Sequence, residues 1–255
     1  MGQFQTIQTS YECPICKDTE IVESKDDKWK FVSCKCAEVK RYKKMIQRSQ
    51  IGNQFLKIGF KEFETNGRNE QIVEAKAAAI DYVKNFEKIR KTKNNSIGFF
   101  GMSYKFGDQI KKVGIGAGKT HLSIAIANNL MKKGIGVMYF PYKEAVLQLK
   151  QNRMDEEFYQ REAGKYKTSP VLLVDDLFKG KITEPDKDIM FEILNYRYLN
   201  CLPVIVSSEL SLDDLIDIDE AAGSRIIQMT KNYAIQFKLS IEDVRRGASL
   251  NYRLR

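Results

Sequence analysis

Apolar residues follow two rhythms along the chain. Between residues 70 and 90, Val73, Ala77, Ile80, Val83 and Phe86 recur at three- and four-residue steps. That spacing predicts an amphipathic helix with this stripe on its buried face. From Ile97 onward, short unbroken apolar runs replace the stripe: Ile97-Gly98-Phe99-Phe100, Val137-Met138-Tyr139-Phe140, Val171-Leu172-Leu173-Val174 and Pro203-Val204-Ile205-Val206. Each run predicts a strand buried on both faces. Helical stretches at 120–133 and 185–199 separate them, the first closed by lysines and Gly134. Strands alternating with helices predict an α/β fold with a mainly parallel sheet covered on both sides.

The first third of the chain has a different texture. Thr19-Glu20-Ile21-Val22 and Trp29-Lys30-Phe31-Val32 predict two short strands turned at Lys25-Asp26-Asp27. A basic helix over about residues 37–48 follows, with Lys40, Arg41, Lys43, Lys44 and Arg48. The pattern divides the 255 residues into a small N-terminal module with this helix (1–50), an irregular linker (51–69) and one larger domain (70–255). No internal repeat is present.

Composition narrows the class. At 43% hydrophobic the chain has enough apolar residues for a core and too many for a disordered protein. No apolar run is long enough to cross a bilayer, and Met1-Gly2-Gln3-Phe4-Gln5 lacks the pattern of a signal peptide, so a cytoplasmic, non-membrane protein is expected. A net charge of +9 fits phosphate-rich partners, single-stranded DNA among them, and equally a solvated lysine surface. Tyr142, Lys143, Lys150 and Arg153 are the candidate DNA contacts.

Cysteine is more specific. Cys13-x-x-Cys16 and Cys34-x-Cys36 cluster in 24 residues, while Cys201 stands alone beside an apolar run and is expected in the core. In a reducing compartment such a cluster holds a metal. Four thiolates suit tetrahedral Zn²⁺, with iron–sulfur or unmetallated thiols as alternatives. The second pair is expected on extended chain, where residues two apart share a face.

Two motifs carry the main chemistry. In Gly114-Ile115-Gly116-Ala117-Gly118-Lys119-Thr120, small residues let backbone N–H groups close around phosphate oxygens at a helix N-terminus. Lys119 would grip the β- and γ-phosphates and Thr120 would place its hydroxyl on Mg²⁺, so ATP with Mg²⁺ is the expected ligand. The first glycine of the usual spacing falls on Val113, and 102–112 reads as an insertion before the loop, whose Lys105, Lys111 and Lys112 fit either a solvated excursion, the favoured reading, or a contact with nucleic acid. Downstream, Val171-Leu172-Leu173-Val174-Asp175-Asp176 ends a strand in two acids, Asp175 for the metal and Asp176 for the attacking water. Ser208, at the end of the next strand, is a candidate γ-phosphate sensor. Arg225 in Gly223-Ser224-Arg225 is a candidate arginine finger or a surface ion-pair partner. His121 is expected to be structural.

These stretches, with Leu172-Leu173-Val174-Asp175-Asp176-Leu177, Pro203 through Leu215 and Gly223-Ser224-Arg225-Ile226, resemble the DnaC/DnaI-type helicase loaders among the AAA+ ATPases, a group that also includes IstB-like proteins. The cysteine-rich start and basic helix resemble the DnaI-like branch. The resemblance implies a five-stranded AAA+ P-loop domain behind a zinc-binding module, slow ATP turnover, single-stranded DNA, and a hexameric replicative helicase as partner. It also implies ATP-dependent assembly of copies of the chain, with Lys119 and Thr120 as the Walker A pair, Asp175 and Asp176 as the Walker B acids, and Arg225 acting on a neighbour's nucleotide. The family often carries asparagine where this chain has Glu209, and a second sensor among Arg245, Arg246 and Arg253 is not assigned. An IstB-like transposition helper and a nucleotide-gated DNA-binding adaptor are the competing functions.

Overall fold

The computed structural model describes residues 13–24, 29–106, 109–114 and 116–238. Five strands form a central sheet: β3 (Ile97–Phe100), β6 (Val137–Pro141), β7 (Val171–Asp175), β8 (Val204–Ser208) and β9 (Ala234–Gln236). Their order is β6-β7-β8-β3-β9, and every pairing is parallel. The fold is α/β, of the AAA+ P-loop type.

Strand alternation builds two cores. Ile97, Phe99, Val171, Leu173 and Ile205 face one layer, formed by α2 (Glu70–Ile89) and α3 (Lys119–Lys132). Phe100, Leu172, Val174, Val204 and Val206 face the other, formed by α4 (Tyr142–Gln151), α5 (Glu156–Thr168), α6 (Glu184–Leu199), α7 (Leu212–Ile218) and α8 (Glu220–Thr230). Both faces of β3, β7 and β8 are dry, which explains their unbroken apolar runs. Each such Val, Leu, Ile or Phe contributes about 1.5–3 kcal/mol of burial.

Local chemistry sets the helix starts. Asp186 reaches back to the Thr183 N–H (2.8 Å) beside Pro185 in the first turn of α6. Ser211 and Asp214 form a reciprocal cap on α7, and Asp219 caps α8 through the Ala222 N–H.

In α2 the buried residues are Ile72, Ala75, Ala79, Tyr82, Val83 and Phe86, while Val73 is exposed. The expected stripe is therefore rotated. Alanines at 75 and 79 let α2 approach α3 closely, and Tyr82 turns inward because its hydroxyl has a partner in the Asn95 carbonyl (2.8 Å). Cys201 is only half-buried, in a left-handed turn (φ 51°) closing α6, because Asn95 Nδ2 holds its carbonyl there.

Residues 51–69 are irregular apart from one 3-10 turn at Asn53–Phe55, but they are docked on the large domain. Ile51 and Phe63 are buried, and Phe55, Leu56, Ile58 and Phe60 pack on the α2–α3 core. Asn128 of α3 donates to the Phe55 and Ile58 carbonyls at 2.9 and 2.8 Å, so a buried amide pins the strap across the helix.

At the N-terminal side, β1 (Ile21–Glu23) and β2 (Phe31–Ser33) form an antiparallel hairpin whose turn residues 25–27 lie outside the described part. The basic helix is α1 (Lys35–Ser49), and Ile46 near its end packs on the same core. A second hairpin, β4 (Met102–Phe106) with β5 (Gln109–Val113), occupies the expected insertion. Among the described residues no helix is long and apolar enough to cross a membrane.

Candidate functional site

The loop from Gly114 to Thr120 lies between β5 and α3 at the C-terminal edge of the sheet. Gly114, Gly116 and Gly118 all hold positive φ (87°, 77° and 86°), a run that side chains with a Cβ rarely adopt. Ile115 lies outside the described residues. Ala117 is buried, and Gly118 directly precedes the first turn of α3, whose backbone N–H groups face the loop. Lys119 is buried and its Nζ donates to the Gly114 carbonyl (2.8 Å). Burial pushes its pKa below the ordinary lysine value, and the nearby Glu209 and Asp176 carboxylates oppose that shift. A desolvated ammonium beneath a glycine loop and a helix N-terminus is a site for a polyanion.

The two acids meet this loop. Asp175, buried at the end of β7, accepts from Thr120 Oγ1 (2.9 Å) at Oδ1 and from the Tyr139 hydroxyl (3.1 Å) at Oδ2. Ser207 also donates to Asp175 Oδ1. Asp176 sits in a left-handed conformation (φ 57°), with its N–H on Ser207 Oγ (2.9 Å). Its carboxylate pairs with Lys179 Nζ (2.8 Å), which also reaches Glu209 (3.3 Å).

Ser208, the residue expected to sense phosphate, points elsewhere. It is buried and donates to the Leu177 carbonyl (2.8 Å), bracing the turn after β7. Strand parity is the reason: adjacent residues of β8 face opposite sides, and Ser207 is the one on the acid side. Ser207 and Glu209, which flank Ser208 in the polar strand end that the sequence singles out, therefore join the site, as do Tyr139 and Lys179, which no sequence motif marks. Phe63 and Phe237 join it from distant parts of the chain. The Phe63 ring packs on Gly118 and stands edge-on to His121 (5.2 Å). Phe237 packs on Gly114 and lies under the Lys119 ammonium (6.0 Å). His121 is structural as expected, with Nε2 on the Gly59 carbonyl (3.2 Å).

Arg225 is not brought to its own phosphate loop. Its Nε donates to Asn195 Oδ1 (3.1 Å) and its guanidinium lies over the Tyr198 ring (4.6 Å). Of the candidate DNA contacts, Tyr142 is buried against Phe178 and Lys150 is paired with Asp186 (2.7 Å), so both serve the fold; Arg153 is half-exposed beside Asp188 (3.6 Å) and Lys143 is exposed. Arg245, Arg246 and Arg253 lie outside the described residues.

The four cysteines converge in the N-terminal module. Their sulfurs all lie within 4.8 Å of one another, with Cys13–Cys34 at 3.9 Å and Cys16–Cys36 at 3.3 Å. Zn–S bonds of about 2.3 Å set tetrahedral sulfur separations of roughly 3.8 Å, which this cluster fits. The first pair sits on a tight turn closed by Lys17 N–H to the Cys13 carbonyl (2.9 Å). Only Cys34 of the second pair is on extended chain: it is the N-cap of α1 (φ −69°, ψ 147°), and Cys36 already lies in the first helical turn. The N–H groups of Cys16 and Ile15 pull the Cys13 thiol down to about 7, and the Cys16 thiol pushes Cys36 upward.

The family model described as IstB-like ATP binding protein matches residues 109–221. The phage-like element PBSX protein XkdC of Bacillus subtilis (strain 168) is 35% identical over 237 residues, covering 89% of this chain and 83% of that protein. The replicative helicase loader DnaI of the same organism is 34% identical over 101 residues, 39% of this chain and 32% of DnaI. Among solved structures, the DnaC helicase loader superposes with a TM-score of 0.57 at 22% identity, over 73% of this chain and all of that one.

Proposed function

We propose a function from one premise: the chain belongs to the same family as the phage-like element PBSX protein XkdC and carries an IstB-like ATP-binding region over residues 109–221. It is an ATPase, and our reading is that it loads a replicative DNA helicase onto single-stranded DNA in the cytoplasm. The observation that carries the nucleotide chemistry is the convergence of Lys119, Thr120, Asp175 and Asp176 at one sheet edge. Lys119 would leave the Gly114 carbonyl for the β- and γ-phosphates of ATP, a stronger partner for a buried ammonium. Gly114, Ile115, Gly116, Ala117 and Gly118 would cradle the phosphates through backbone N–H groups. Thr120 and Asp175 offer the hard oxygen donors that suit Mg²⁺, which neutralises phosphate charge when bound. Asp176, once released by Lys179, would orient the attacking water, and Ser207 would hold both acids in register. Ser207, whose Oγ touches both acids, would take the sensor role in place of Ser208.

Arg225 would act on the nucleotide of an adjacent copy in an ATP-dependent assembly, which fits its distance from its own loop. The cysteine cluster would hold one structural Zn²⁺, because a closed four-sulfur shell leaves no open position for catalysis. This metal-stapled module ahead of the ATPase domain, together with the local similarity to DnaI, supports a loader over a transposition helper. The family description keeps the transposition reading alive as the alternative.

Size-exclusion chromatography of the full-length protein with its host's replicative helicase tests the reading. Co-elution that requires ATP supports the loader. Failure to bind that helicase under any nucleotide condition overturns it and favours the transposition helper.

A further inference from the structure

The hairpin β4–β5 is placed where neither the sheet nor the phosphate loop requires it. Its strands pair with each other and with no other described strand. Both of its feet, however, stand on the nucleotide site. At the first foot, the Gly101 N–H donates to the Ser208 carbonyl (3.0 Å), at the end of the strand whose Ser207 holds Asp175 and Asp176. At the second, β5 runs directly into Gly114, whose carbonyl accepts the Lys119 ammonium. Gly114 is clamped in turn: a Cβ there would lie 3.1 Å from Cβ of Phe237, and the Phe237 N–H donates to the Phe100 carbonyl (2.9 Å) at the end of β3. One foot of the hairpin is therefore joined directly to the glycine that holds Lys119, and the other to the end of the strand whose serine holds the acids.

The residue types on the hairpin say what could bind there. Three lysines stand against one acid between 102 and 113. The register pairs Tyr104 with Lys111 and Phe106 with Gln109, so two aromatic positions and a lysine fall on one face of the ribbon. Ser103 with Lys112 and Lys105 with Ile110 fall on the other, so both faces carry lysine. Aromatic positions spaced two apart among cations match a stacked, single-stranded nucleic acid, whose bases stack without sequence preference and whose phosphates take lysine.

We infer that the β4–β5 hairpin is a single-stranded DNA contact that couples DNA binding to the ATP site. This rests on the proposed DNA binding and names the element that performs it. The decisive comparison is between the full-length wild type and K105A/K111A/K112A, using fluorescein-labelled oligo-dT at several salt concentrations and ATPase rates with and without the oligonucleotide. Each lysine–phosphate contact contributes about 0.7 to the salt slope on single strands, so the triple variant should lose about 2 units of slope. Across a fourfold rise in salt the wild type would then lose roughly 16-fold more affinity than the variant. Stimulation of the ATPase by oligo-dT should disappear, while the DNA-free rate and ATP affinity hold.

Equal DNA binding by wild type and variant overturns the inference. So does a variant whose DNA-free ATPase falls as far as its DNA-stimulated rate, since the hairpin would then only brace the loop. A wild type that ignores oligo-dT overturns the DNA reading as a whole. Should the variant fold poorly, photocrosslinking of wild type to iodouracil-substituted oligo-dT decides: label within residues 102–113 supports the contact, and label confined to other peptides refutes it.

Discussion

Replacing Gly118 with alanine disturbs the phosphate loop in two separable ways. Gly118 holds φ +86°, a backbone state costing an L-residue about 1–2 kcal/mol. The added Cβ would also lie 2.4 Å from Cε2 and 3.1 Å from Cζ of Phe63. That ring is 3% exposed, edge-on to His121 and under the Arg68 guanidinium, so it has little room to retreat. Overpacking of this kind costs about 1–3 kcal/mol. The sum, about 2–5 kcal/mol, corresponds to a fall of roughly 4–20 °C in Tm for a chain of this size. Phe63→Ala alone should cost about 3–5 kcal/mol through the cavity it leaves. In the double variant the clash is gone and only the backbone strain remains, so Gly118→Ala made in the Phe63→Ala background should cost only about 1–2 kcal/mol. Thermal unfolding of the four proteins measures that coupling, and Mg-ATP affinity measured alongside should fall for Gly118→Ala in both backgrounds. Additive effects within about 0.5 kcal/mol would refute the packing of the strap on the phosphate loop.

Other perturbations separate the remaining parts. Purified wild type should carry one zinc per chain and Cys34→Ser should carry far less while still binding ATP; wild type free of both zinc and iron defeats the metal assignment. Asp176→Asn should bind Mg-ATP and lose turnover, and turnover equal to wild type removes Asp176 from its role. Burial raises the Asp186 carboxyl, but hydrogen bonds from Lys150 and the Thr183 N–H outweigh it and hold the group below the usual carboxylate range. Such a depressed group stabilises the fold above its unfolded value and loses that contribution as pH falls through the folded one. Lys150→Met should therefore destabilise most at neutral pH, with the gap to wild type closing in acid; a gap that stays constant contradicts the ion pair.

The nucleotide site was partly legible in the chain because its core parts are contiguous. Gly116 to Thr120 and the acid pair after β7 each announce themselves by spacing, and the strands feeding them are unbroken apolar runs. What stayed hidden depends on parity or on distance. Ser207 and Ser208 are chemically identical neighbours, and only the start of β8 decides which one faces the acids. Phe63 and Phe237 reach the loop from far along the chain, and no local pattern marks an aromatic that will cover a glycine. The stripe in α2 was misplaced because alanine carries little periodic weight, although its small size is what lets two helices close. Extended chain was expected for both Cys34 and Cys36, yet only Cys34 is extended, and the step from a helix N-cap into its first turn brings residues two apart to one cluster equally well. The segment 102–112 showed in the sequence as a lysine-bearing insertion before the loop, but its pairing into a hairpin did not, because its alternation is too short and too mixed to mark two strands.

The central claim, that this ATPase loads a ring helicase, is tested most directly on closed circular single-stranded DNA, onto which a ring cannot thread from an end. The full-length protein, the host's replicative helicase and ATP should together place helicase on the circle in an amount that survives a salt wash, with little retained when this protein is omitted or carries Lys119→Ala. Retention that is the same with and without this protein would contradict the account.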